Sequence, residues 1–238
     1  MSERNDDKLC AIASVVGALT LFIGTLLHPS SADPNDPLAA FAEYAANGPW
    51  VASHLMQLLG ILFIVAALVL LSRRMSDGGG AIWAHLGLVG AGASLAVAAA
   101  LQAVDGVALK LMVDRWAAAP AGDKEMLFLA ALAVRQIEIG LASIFSLLMG
   151  MTATVYGISL VLDRRFAKGL GWLAILGGIP IGVSGIIMAY TGFSDLAMTI
   201  NLSASSLLLL WMLVMGVWLW RRASAENLEA RAQSAYSE

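Results

Sequence analysis

The chain has 238 residues, of which 59% are hydrophobic and 13% charged, and its mean hydropathy is +0.79. This is the composition of a membrane protein, and it excludes an ordinary soluble domain. The formal net charge is −3, and the absence of a basic face excludes nucleic-acid binding. Cys10 is the only cysteine, which excludes an intrachain disulfide and a thiolate metal cluster.

Apolar runs long enough to cross a bilayer recur along the chain. We predict an all-α polytopic membrane helix bundle with six transmembrane helices, arranged as three in-out-in hairpins. Residues 1–222 form this single transmembrane domain, and residues 223–238 form a polar cytoplasmic tail. The spans are predicted at about residues 9–27, 51–72, 82–112, 126–162, 170–191 and 199–220.

Basic residues concentrate in the loops on one side of the predicted membrane. Cytoplasmic loops of membrane proteins carry an excess of Lys and Arg, so both termini are predicted to be cytoplasmic. The basic side holds Arg4, Lys8, Arg73, Arg74, Arg164, Arg165, Lys168, Arg221, Arg222 and Arg231, and the outer side holds Lys110, Arg115 and Lys124, with Arg135 close to it.

The first outer loop contains the signals of a short helix. Asp36 followed by Pro37 is typical of an N-cap and a first-turn proline, and residues 47–49 are a stop signal. The pattern predicts an amphipathic helix at the outer interface, either a surface anchor or a lid over a site. We expect Phe41 to contact lipid or a span and Glu43 to face water. The apolar face comprises Leu38, Phe41, Ala42 and Ala45.

Small residues form ridges on the third and fifth predicted spans, and such ridges let helices approach closely in lipid. They predict that these two helices form the centre of the bundle. The ridges are Gly87, Gly90, Ser94 and Ala98, and Gly178, Gly182 and Gly185.

The longest apolar stretch, residues 127–162, is interrupted near its start by Arg135 and Glu138. As a helix it would be about 54 Å long, well beyond the roughly 30 Å hydrocarbon core of a bilayer. One end must protrude, and the charges indicate that it is the outer end.

Three predicted spans each carry two polar residues one helical turn apart near the outer side. Polar groups at membrane depth are candidate functional residues by default, so we predict a shared pocket that opens outward. Its predicted ligand-binding residues are His54, Gln57, Gln102, Asp105, Arg135 and Glu138; His28 and Asp195 could join them.

The turn between the third and fourth spans is predicted near residue 120, because Pro120 and Gly122 break the helical pattern. Antiparallel pairing about this turn predicts an ion pair between Asp105 and Arg135. Gln102 and Glu138 would then be stacked one turn deeper. Both a structural clamp and a binding site are compatible with this quartet.

The sequence contains no catalytic motif, so the leading hypothesis is a non-enzymatic protein that binds a small ligand, a lipid headgroup or a partner protein, including another copy of itself. We assign no cofactor and no metal, since no metal-ligand spacing is present and Arg135 would repel a cation. The alternative is a membrane-embedded metal-dependent hydrolase that uses His28, His54, Asp105 and Glu138. A structural or assembly subunit is a further alternative.

A His-Pro after the first helix, a Trp and a His opening the second, and Arg-x-x-Glu in a middle helix are carried here by His28, Trp50, His54, Arg135 and Glu138. In these features and in its hydropathy along the whole chain, the sequence resembles the integral membrane proteins of the domain of unknown function 4386 family. The resemblance implies a multi-pass protein of the prokaryotic plasma membrane, the cell inner membrane, and it does not imply an activity.

Overall fold

The computed structural model describes the backbone of residues 3–236 and the side chains of residues 5–225. All regular structure in this part of the chain is helical. The elements are α1 (Glu3–Leu26), α2 (Pro37–Ala46), α3 (Trp50–Arg74), α4 (Ala81–Gln102), a π-helical segment (Ala103–Leu109), α5 (Lys110–Ala118), α6 (Lys124–Leu162), α7 (Lys168–Thr191) and α8 (Asp195–Tyr236).

Six helices are long and apolar enough to cross a membrane, which confirms the predicted helical bundle. They are α1, α3, the continuous unit Ala81–Ala118, α6, α7 and the first part of α8. The third helical unit continues to Ala118, beyond the predicted end at residue 112. The α8 backbone stays helical to Tyr236, through most of the predicted tail.

The spans pack mainly in chain order and close into a ring. Each span contacts the next one along the chain, from α1 to α3, α4, α6, α7 and α8, and α8 packs back against α1. Because the number of spans is even, α1 begins and α8 ends at the same end of the bundle. We call it the arginine end because Arg74, Arg165 and Arg222 lie there, and we call the opposite end, which carries α2 and α5, the loop end.

The prediction that α4 and α7 form the centre of the bundle is wrong, because both pack against α6, which lies between them. Small residues of α4 and α7 lie at the contacts of these helices with α6. A Cβ on Gly87 of α4 would meet the ring of Tyr156 at 2.7 Å, and a Cβ on Gly185 of α7 would meet the backbone of α6 at 2.6 Å. Glycine is required at both positions because the helices approach so closely.

At the arginine end, Arg165 links two carboxylates, that of Asp163 at the end of α6 and that of Asp77 in the α3–α4 loop. Asp163 Oδ2 lies 2.8 Å from Nη2 of Arg165, and Arg165 Nη1 lies 2.8 Å from Asp77 Oδ1. The hydrogen bond from Arg165 lowers the pKa of Asp163 below its ordinary value. These contacts join the α3–α4 loop to the α6–α7 loop.

At the loop end, α2 packs onto α5 and the first turns of α6. Asp36 caps α2 as predicted, its Oδ1 accepting from the backbone N–H groups of Leu38 and Ala39 at 3.0 and 3.2 Å. Phe41 is fully buried, with its ring centroid 5.6 Å from Phe128. The expected contact of Phe41 with a span is therefore confirmed.

The predicted apolar face of α2 is wrong, whereas Glu43 remains partly exposed to solvent. Leu38 is 60% exposed, whereas Ala40 and Tyr44 are buried together with Phe41. Glu43 accepts hydrogen bonds from the backbone N–H groups of residues 31 and 32 at 3.0 and 2.9 Å. The α2 helix thus covers the loop end of the bundle. Its buried face packs on α5 and α6, and Glu43 holds it to the preceding loop.

Candidate functional site

The core of the candidate site is a contact between His54 on α3 and Asp105 in the π-helical segment. His54 Nε2 lies 3.0 Å from Asp105 Oδ2, and the histidine side chain is 2% exposed. On the other side of the ring, Nδ1 donates to the carbonyl oxygen of Trp50 at 2.7 Å. The ring is thereby fixed, and Nε2 points at the carboxylate.

The π-helical segment determines where Asp105 points. A π-helix bonds residue i to i+5, so each hydrogen-bonded loop contains one more residue than in an α-helix, and the side chains are rotated relative to their α-helical positions. The Trp50 indole Nε1 donates to the carbonyl oxygen of Asp105 at 3.1 Å, which ties the segment to α3. A Cβ on Gly106 would lie 2.5 Å from the Cβ of His54, so glycine permits this close approach.

His28, just after α1, is the third member of the cluster. Its Nδ1 donates to the carbonyl oxygen of Pro29 at 2.7 Å, and its ring centroid lies 5.1 Å from that of His54. Burial lowers the pKa of His28 below its ordinary value, so the ring is neutral at physiological pH. One Nδ1 hydrogen bond to a backbone carbonyl thus orients each of the two histidines.

Two buried aromatic residues enclose this cluster. Trp50 is fully buried, and its ring centroid lies 4.7 Å from that of His54 and 4.9 Å from that of His28. Tyr44, from α2, packs against Trp50 with the two ring centroids 4.4 Å apart. Burial raises the pKa of Tyr44 to about 12, so its hydroxyl keeps its proton. The cluster is therefore closed off by α2 on the side away from the bundle.

Arg135 and Glu138 on α6 form the second polar group of the site. They are 5% and 4% exposed, and Nη1 of Arg135 lies 3.2 Å from Oε2 of Glu138. The same Nη1 donates to the Tyr44 hydroxyl at 2.9 Å. The guanidinium also lies 4.9 Å from the ring centroid of Phe193. The positive charge of Arg135 is thus largely satisfied by its own partners.

The predicted direct pairing of Asp105 with Arg135 is wrong, as is that of Gln102 with Glu138. Asp105 pairs with His54, and Gln102 donates from Nε2 to Oε1 of Gln57 at 3.2 Å. The predicted turn was nevertheless close: α5 ends at Ala118 and α6 begins at Lys124. The error is one of rotation, because the π-helical segment turns Asp105 toward α3.

The structure brings the six predicted site residues to the loop end in three pairs: His54 with Asp105, Gln57 with Gln102, and Arg135 with Glu138. His28 joins the first pair, whereas Asp195 is exposed at the start of α8. Sequence reasoning missed Tyr44 as a site residue and used Trp50 only as one of the features of the family resemblance. Their only signal was the clustering of aromatic residues around the loop before α3.

Three of these side chains offer the geometry of a metal centre. His28, His54 and Asp105 each present one ligand atom, and these atoms all lie within 4.8 Å of one another. Glu138, which the hydrolase alternative adds, is not part of this set. The sequence spacing concealed the cluster because its members come from a loop, a helix and a π-helical segment.

The spanning helices and the buried polar cluster define the protein as a helical integral membrane protein with a candidate ligand site at one end of the bundle. No protein-family model, no curated protein and no solved structure matches the chain.

Proposed function

We propose that this is a multi-pass protein of the cell membrane that binds a small cationic ligand at its loop end, beneath α2. The observation that carries the proposal is the carboxylate of Asp105. Its Oδ1 is buried without a hydrogen-bond partner in the described part of the chain. A buried carboxylate oxygen is costly to leave unpaired, and a bound cation would satisfy it.

The charges of the site favour a cation over an anion. Asp105 and Glu138 contribute two negative charges, and Arg135 contributes one positive charge that is already paired with Glu138. Without a bound ion or a proton on His54, the site carries an excess negative charge, which lies on Asp105. An anionic ligand would meet this charge without a free cation to bind it.

Glu138 is less suited to the role that the hydrolase alternative gives it. A general base needs a free carboxylate within reach of the water that it activates. Both oxygens of Glu138 accept from Arg135, at 3.3 and 3.2 Å. This pairing favours a binding protein over a hydrolase.

We also propose that the loop end faces away from the cytoplasm and that both termini are cytoplasmic. The excess of Lys and Arg in the loops of the arginine end supports this orientation. The resemblance to the domain of unknown function 4386 family adds a prokaryotic plasma membrane to the proposal. Reporter fusions at both termini and in the loop 119–123 test the orientation, and cytoplasmic signals from that loop would overturn it.

The binding proposal is tested by thermal unfolding of the purified full chain in detergent, after treatment with a chelator. The probes are Zn²⁺, Co²⁺, Mg²⁺, choline and methylammonium. A ligand that binds only the folded state at 100 times its Kd stabilises it by about 2.7 kcal/mol. We expect at least one probe to raise the unfolding temperature.

The matched variants are Asp105→Asn and, as control, Asp195→Asn, which changes an exposed aspartate at the same end. We expect Asp105→Asn to abolish the stabilisation and Asp195→Asn to preserve it. No stabilisation by any probe, or equal stabilisation of the Asp105→Asn protein, would refute the proposed function.

A further inference from the structure

We infer that the cation is a divalent transition-metal ion of the zinc class, bound by Nε2 of His28, Nε2 of His54 and the carboxylate of Asp105. The inference rests on the proposed function, because it names the ligand of that same site. It is derived from the geometry of these three side chains, their hydrogen bonds and the element that holds Asp105.

The two facing atoms of His54 and Asp105 would repel each other without a proton or a metal ion between them. Because Nδ1 of His54 donates to the Trp50 carbonyl oxygen, a neutral His54 presents a lone pair at Nε2. An ionised Asp105 also presents a lone pair, and the two atoms are only 3.0 Å apart. A proton or a metal ion must lie between them, since the lone pairs would otherwise repel each other.

Both histidines carry the hydrogen bond that is typical of metal-binding histidines. Such a residue donates its second ring N–H to a carboxylate or a backbone carbonyl, which fixes the tautomer and aims the ligand nitrogen. His28 donates from Nδ1 to Pro29 and His54 from Nδ1 to Trp50, each at 2.7 Å. Both Nε2 atoms are thereby left to bind a metal ion.

The distances fit a single ion after small side-chain movements. Metal–nitrogen and metal–oxygen bonds of about 2.0 to 2.2 Å place two ligands of one tetrahedral ion roughly 3.3 to 3.5 Å apart. The His54–Asp105 distance is 3.0 Å, and all three ligand atoms lie within 4.8 Å of one another. His28 is partly buried in a loop, and a rotation of its side chain would close the remaining gap.

The donor set also determines which cation is favoured. Imidazole nitrogens bind zinc, cobalt, nickel and copper in preference to magnesium and calcium, which require mainly oxygen ligands. Two histidines and one carboxylate leave a fourth tetrahedral position for water or a further ligand. Arg135 does not prevent metal binding, because its charge is compensated by Glu138.

The inference is tested with Co²⁺ and Zn²⁺ on the metal-free full chain in detergent. Bound Co²⁺ is followed by its visible absorption, which reports the ligand types and the geometry, and stoichiometry is measured by elemental analysis after desalting. We expect one ion per chain, displacement of Co²⁺ by Zn²⁺, and no displacement by a large excess of Mg²⁺.

The variants are His28→Ala, His54→Ala and Asp105→Asn. Each should weaken Co²⁺ binding by more than roughly 100-fold, since loss of an outer-shell partner alone costs 10- to 100-fold. His85→Ala is the matched control, because His85 is the remaining histidine and is exposed on α4. The His28→Ala change lies in a loop, so it tests the site even if the His54→Ala protein fails to fold.

The outcomes separate the inference from the proposed function. Stabilisation by choline or methylammonium without metal binding would overturn the inference and support a cation site of another kind. Co²⁺ binding that survives His28→Ala, or that is lost equally in His85→Ala, would also overturn it. A protein that none of the probes stabilises and that binds no metal would refute both.

Discussion

The pairing of Arg135 with Glu138 gives a quantitative prediction for a double-mutant cycle. The perturbations are Arg135→Gln, Glu138→Gln and the double variant. Both residues are at least 95% buried, and their nearest charged atoms are 3.2 Å apart. Either single substitution leaves one charge buried without its counter-ion.

The magnitude follows from this distance. At an effective dielectric constant of roughly 20, two unit charges 3.2 Å apart attract each other by about 5 kcal/mol. Desolvation offsets part of this attraction, and breaking a buried pair by removing one partner costs about 3 to 5 kcal/mol. Removing both charges costs much less than the sum of the single losses. We expect a coupling energy of about 2 to 3 kcal/mol.

The assay is reversible unfolding in mixed micelles, with the free energy of unfolding measured for all four proteins. A parallel cycle with Asp105→Asn and Arg135→Gln serves as control, because Asp105 is bonded to His54 instead. Its coupling should be clearly smaller. Additive losses for Arg135 and Glu138, or a larger coupling for Asp105 and Arg135, would refute the pairing described above.

Further predictions concern the elements that hold the site. Gly106→Ala should lower the free energy of unfolding by about 1 to 3 kcal/mol, because the added methyl group would overpack against His54. Gly92→Ala is the control, because a Cβ there would meet no atom within 4 Å, and it should leave the free energy of unfolding nearly unchanged in the same assay. Lys110→Met removes two hydrogen bonds to carbonyl oxygens of α2 and should increase amide hydrogen exchange in α2 only. Unchanged exchange there would show that these hydrogen bonds do not hold α2. Asp163→Asn should lower the free energy of unfolding by about 1.5 to 3 kcal/mol at neutral pH. The folded-state pKa of Asp163 is lowered, so the stabilisation by its carboxylate should be present above about pH 4. It should disappear as the pH falls through the folded-state pKa. A difference between wild type and Asp163→Asn that persists unchanged at the lowest pH would contradict this role.

The fold could be predicted from the sequence because its main signal is physical and local. A helix in lipid must satisfy its own backbone hydrogen bonds and match the bilayer thickness, so the runs of apolar residues define the spans directly. The N-cap at Asp36 was predictable for the same reason, because its signal lies in adjacent residues. Which helix lies between its neighbours was not predictable from the small-residue ridges, because a ridge shows that a partner approaches without showing which one. Gly87 and Gly185 both face α6.

The location of the polar residues at one end of the bundle was predictable from the sequence, and their pairing was not. Depth along each helix placed the polar residues at one end, and depth follows from residue number. Pairing depends on rotation about each helix axis, and a single π-helical segment is enough to turn Asp105 from α6 toward His54. Within residues 103–109, the one sequence signal of that segment is Gly106, whose missing side chain makes room for His54.

The closure of the ring between α1 and α8 has a consequence for biosynthesis. Gly216 of α8 packs so closely on α1 that a Cβ there would lie 2.8 Å from the Val15 side chain. Since α8 follows the other described spans in the chain, one flank of α1 stays open to lipid or to a chaperone while the intervening spans are inserted. Chains truncated before α8 would therefore expose a ready-made helix-binding surface on α1, and a separately expressed α8 could complete them.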